Sequence, residues 1–84
     1  KGNETKVRII RMRKVPFIDS TGINNLRNLC ERTHKRGVTV ILSGVTDKVH
    51  QSLVKFGVDL EIGSDNIFPH IVPALEKARE LVKK

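Results

Sequence analysis

Val15-Pro16-Phe17-Ile18-Asp19-Ser20-Thr21-Gly22 is the stretch on which the reading of this chain turns. An apolar run leads into it and a helical pattern leads out, so it marks where a strand hands over to a helix. Asp19 and Ser20 are both capping residues, because a side-chain oxygen there can accept a bond from a backbone N–H that the first helical turn leaves free. Upstream, Val7 to Met12 reads as a strand, with Val7, Ile9, Ile10 and Met12 placing apolar groups on both faces as an interior strand requires. The residues before it read as a frayed lead-in. Downstream, Ile23, Leu26, Leu29, Cys30 and Thr33 recur at three- and four-residue spacing, which predicts a helix that Gly37 stops.

Val38 to Ser43 predicts a second strand, with Val38, Val40 and Leu42 on one face and a wetter set, Thr39, Ile41 and Ser43, on the other. A second helix should begin at Thr46 or Asp47, bury Val49, Leu53 and Phe56, and end at Gly57. Leu60 to Ile62 reads as a short third strand. The last helix, capped near Asp65 or Asn66, carries Phe68, Ile71, Leu75, Ala78 and Val82 as its stripe, with Glu80 spaced to pair with Lys84. Pro69 suits a first turn, while Pro73 removes a backbone donor further on and predicts a kink or a restart. Strand, helix, strand, helix, strand, helix in this order implies right-handed crossovers and parallel neighbours, an α/β layer.

The chain has 84 residues, 38% of them hydrophobic, which supports one core and one domain over residues 1–84. No stretch approaches the roughly 20 apolar residues of a membrane-spanning helix. Cys30 is the single cysteine, so no internal disulfide forms and a reducing, cytosolic setting fits. The formal charge of +7 brings nucleic acid, anionic lipid and acidic proteins into view as partners. The basic residues are spread along the chain, however. With no Trp or Tyr, and Phe17, Phe56 and Phe68 as the only aromatics, a base-stacking platform is missing, which argues against nucleic acid. Arg8, Arg11, Arg13 and Lys14 suit a membrane surface or simple solubility equally.

Catalytic chemistry finds no support. There is no Gly-rich phosphate loop, no Gly-x-Ser-x-Gly elbow and no spaced carboxylate pair, and Asp59 and Glu61 read as solvated loop and strand-edge groups. His34, His50 and His70 lack companions at zinc-ligand spacing. Cys30 lies on the apolar stripe, where a small hydrophobe is the ordinary occupant. The reading is of a non-enzyme with no cofactor and no metal.

Three segments in order, the turn at residues 15–22, Ile41-Leu42-Ser43-Gly44-Val45, and Asn66-Ile67-Phe68-Pro69-His70, resemble the STAS domain, and more narrowly the version carried at the C-terminal end of SulP-type anion permeases. The resemblance spans about residues 7 to 82. It implies the STAS fold: a mainly parallel sheet of βαβαβα order with helices mostly on one face. It also implies that one or two further strands and a short helix precede the strand at Val7, whose unpaired edge would otherwise invite a second copy.

By the same resemblance, the domain is a cytosolic regulatory module of a sulfate or similar anion transporter, and its partners are the transmembrane part of that permease and a cytosolic protein. In stand-alone relatives that antagonise anti-sigma factors, the hydroxyl residue before the glycine is phosphorylated. That position is Thr21 here, with Ser20 beside it. Asp19, Gly22, Asn24 and Asn25 complete the implied contact surface, together with the loop after Val45. A stand-alone, phosphorylation-gated binding protein is the alternative. Small-ligand or nucleotide binding at the helix start, Ser20 and Thr21, is a third and weaker one.

Overall fold

The computed structural model describes residues 6–82. Strand β1 (Lys6–Arg11) and strand β2 (Val38–Ser43) pair in parallel, with Arg8 opposite Val40, Ile9 opposite Ile41 and Ile10 opposite Leu42. Parallel neighbours need a crossover, and helix α1 (Ser20–Lys35) supplies it. Gly37, just past α1, has φ of 77°, a left-handed conformation that glycine adopts at no steric cost. Arg32, His34 and Lys35 occupy the last turn of α1, where positive charge complements the helix dipole.

Helix α2 (Asp47–Lys55) starts at Thr46, whose hydroxyl accepts from the Val49 N–H at 3.3 Å. The core joins Ile23, Leu26 and Cys30 of α1 to Val40 and Leu42 of β2 and to Val49 and Leu53 of α2. Helix α3 (Val58–Ile62) adds both of its terminal residues to the same cluster, so α1 to α3 share one face of the sheet, as expected. Helix α4 (Ile71–Val82) packs against both strands. Strand alternation turns Ile41 away from that cluster, and Ile41 and Ala74 of α4 are both fully buried outside it.

Several expectations are corrected. Leu60 to Ile62 is not a strand but part of α3: Val58 and Ile62, four residues apart, are buried while Leu60 is 82% exposed. The third position in the sheet falls instead to Ile67, which bridges Leu42 in parallel, and Phe68 follows it. The Phe68 N–H donates to the Leu42 carbonyl at 2.9 Å and its carbonyl accepts from Val45 N–H at 3.1 Å. Phe68 is therefore outside the last helix. Ser64–Asn66 forms a 3-10 turn, and the helix begins at Ile71.

Pro73 then falls in the first turn of α4, where a missing N–H costs nothing, so no kink or restart arises. Leu75 and Val82 face solvent, and Phe56 is 40% exposed. The face expected to be wetter is dry at Ile41 and Ser43, because α4 lies against the sheet. The proposed Glu80 to Lys84 pair involves a residue outside the described ones.

Candidate functional site

The turn at Asp19 is built by local chemistry. Asp19 is extended (φ −95°, ψ −177°), its carboxylate accepts from the Gly22 N–H at 2.9 Å, and its carbonyl takes the first helical bond from Ile23 at 2.8 Å. Such a cap is worth about 1 kcal/mol to the helix. Gly22 is required for a different reason. A Cβ there would lie 2.8 Å from Ile18 Cγ1, so only glycine lets Ile18 lie across the first turn of α1 and pack against the core.

That packing fixes which side chains remain outside. Asp19, Ser20, Thr21, Asn24 and Asn25 are all exposed, and Gly22 is half-buried between them and Ile18. Phe17 projects beside them, 67% exposed, and edges an open apolar groove of about 430 Å³ floored by Met12, Val15 and Leu26. Two exposed hydroxyls, two amides, a carboxylate already engaged as a cap and one aromatic ring make a surface suited to contact. Sequence reasoning did not single out Phe17 as part of this surface. Because α1 follows β1 and α2 follows β2, this turn and the loop after Val45 lie at the same, carboxyl end of the sheet, where the Met12 N–H donates to the Ser43 carbonyl at 2.8 Å.

The polar contacts of Arg27 are structural. Arg27 of α1 reaches the start of α3: its guanidinium donates to the Phe56 carbonyl, and its Nε lies 3.1 Å from Glu61 Oε2 as a charge contact without an aligned hydrogen bond. The pair is partly exposed, so its electrostatic worth is small. Glu61 is thus a helix-to-helix contact, not a strand-edge group. Among the described residues, no group of three His, Cys, Asp or Glu side chains is placed to hold a metal ion. No described helix is long and apolar enough to cross a membrane.

Cys30 is sealed in the core, and burial, with a smaller push from the Glu61 carboxylate, raises its thiol from an ordinary 9.0 to about 11. Folding therefore favours the protonated thiol. The contribution of this group to stability is complete below pH 9 and is lost as pH climbs toward 11. Iodoacetamide at pH 8 is expected to leave Cys30 intact in native protein and to alkylate it fully in urea, as mass spectrometry reads directly. Rapid native labelling would contradict the burial.

Comparison with known proteins agrees with this geometry. The sequence profile of the STAS domain matches residues 2–78. The fold superposes on the crystal structure of a sulfate transporter family protein from Wolinella succinogenes with a TM-score of 0.91 and 43% identity, covering 94% of this chain and 65% of that one. It superposes on the SulP transporter STAS domain from Vibrio cholerae with a TM-score of 0.88 and 37% identity, covering 93% of this chain and 61% of that one. Comparison with curated proteins gives no significant match. The chain thus spans under two thirds of the length of each of these two structures, yet nearly all of it is accounted for. On profile and fold together, the chain belongs to the STAS domain family.

Proposed function

We propose that this STAS domain is the regulatory, cytosolic module of a SulP-type transporter for sulfate or a similar small anion, and that it acts by binding without catalysing a reaction. The likeness to the sulfate transporter family protein, at 43% identity over 94% of the chain, carries this reading. The domain biases the transporter through the exposed face Asp19, Ser20, Thr21, Gly22, Asn24 and Asn25 and through the loop after Val45, with the transmembrane part of the same protein as the partner. Thr21 is the control point. It is exposed at the start of α1, where a phosphate is electrostatically welcome to the helix while its charge of about −2 alters any contact made there.

Thr21→Asp in the transporter that contains this chain is the test. The substitution adds negative charge to an exposed first-turn position, where the helix dipole favours it, so urea unfolding of the domain should show no loss of stability. Uptake should fall by about fivefold or more, the usual lower bound for coupling between sites. Unaltered uptake at unaltered expression removes the switch from Thr21. A coding region with no membrane spans upstream would instead favour the stand-alone, phosphorylation-gated binding protein.

A further inference from the structure

Helix α4 holds the sheet with one row of side chains and leaves a second row in solvent. Ile71, Ala74, Ala78 and Leu81 are buried or half-buried. One residue further along, Val72, Leu75, Arg79 and Val82 repeat the same spacing of three, four and three, and all four are exposed. That spacing is the one by which a helix presents a seam to a facing helix, each apolar side chain fitting between those opposite. Among the described residues, no other helix lines up three exposed large apolar side chains.

Charge decides what covers this row. Residues 6–43 hold nine Lys and Arg beside only Asp19 and Glu31, so most faces of one copy repel the same face of another. Helix α4 differs, because its charged residues are Glu76, Lys77, Arg79 and Glu80, two of each sign. Laid parallel, two copies of α4 would set Arg79 against Arg79. Laid antiparallel about residue 77, they set Val72 over the partner's Val82 and Arg79 over the partner's Leu75, with the partner's Glu76 next along. Each cation in the seam then meets a carboxylate, twice over by symmetry.

From this pattern we propose that the exposed row of α4 is the contact face between two copies of this chain, paired antiparallel about a two-fold axis. A helix of 12 residues is only about 18 Å long, which makes the interface small and the dimer readily reversible. The assignment uses residues other than Asp19 to Asn25, and it stands whether or not the transporter reading holds.

Sedimentation velocity over a concentration series from about 10 µM to about 1 mM tests it, since a small interface places Kd in that range. The mass should rise from 9.5 kDa toward twice that value. Leu75→Lys should weaken dimerisation by about tenfold or more, whereas Val54→Lys, at an exposed apolar position on α2, should leave it unchanged. Glu76→Arg and Arg79→Glu should each weaken it likewise, and the two variants mixed together should pair with each other, because opposite charges then face across the seam. Oxidation of a mixture of Val72→Cys and Val82→Cys chains should join unlike chains, since like cysteines lie about 15 Å apart along the axis. The same unlike cross-link is expected in cells that express the full-length protein containing this chain. A monomer at every concentration, a dimer that survives Leu75→Lys, charge variants that pair no better mixed than alone, or cross-links between like cysteines would overturn the proposal. So would loss of the unlike cross-link in the full-length protein, which would give this face to another of its segments.

Discussion

Gly44→Ala should destabilise the domain by about 2 to 5 kcal/mol, from a strained backbone and a steric overlap added together. Gly44 has φ of +69°, and an added Cβ would sit 2.7 Å from Arg13 N, 2.8 Å from Arg13 Cα and 2.9 Å from Arg13 Cβ. Two of these three are main-chain atoms held by the neighbouring strand end, so no side-chain rotation relieves them. The same contact brings the residue after β2 against the segment that follows β1. Gly37→Ala separates the two effects. Its φ of +77° imposes a similar strain, but nothing lies within 4 Å of its Cβ position, so about 1 to 2 kcal/mol is expected there. Urea midpoints at unchanged slope read both. Equal losses at the two sites would show that the approach of Gly44 to Arg13 is not tight.

Local signals in the sequence were reliable where one interaction set the structure. Asp19 caps α1 and Thr46 caps α2 because each cap needs only a few residues in a row. The stripe Ile23, Leu26, Cys30 and Thr33 is buried as its spacing requires. Val58-Asp59-Leu60-Glu61-Ile62 was not legible, since it satisfies a period of two and a spacing of four equally well. Tertiary contact decides it: α2 and α1 both meet this segment, and only a helix turns Val58 and Ile62 into the core while leaving Leu60 in solvent.

The apolar residues from Phe68 onward were likewise read as one helix, although hydrogen bonds to Leu42 and Val45 hold Phe68 against the sheet. The turn at Asp19 to Gly22 could be seen in advance because it is contiguous. The cavity lined by Arg11, Ser43 and His70 could not, because these residues come from three separated segments. The one signal that pointed there was general, the rule that parallel strands present ligands at their carboxyl ends.

A pair of leucines turns the corrected segment into a measurement. Leu53 is fully buried within the core cluster, so Leu53→Ala should cost about 2 to 5 kcal/mol through lost transfer energy and an unfilled cavity. For a domain of this size each kcal/mol moves Tm by about 4 to 8 °C, so the fall should be at least 8 °C or so. Total stability for a chain this short is itself only about 4 to 13 kcal/mol, and Leu53→Ala therefore removes a large part of it. Leu60→Ala deletes the same atoms from a side chain that is 82% exposed, and its effect should stay within about 0.5 kcal/mol. A strand over residues 60–62 would put Leu60 and Ile62 on a common face, and Leu60→Ala would then cost nearly as much as Leu53→Ala. A small loss at Leu60 beside a large one at Ile62→Ala is the signature of the helix, because only the helical spacing separates those two side chains.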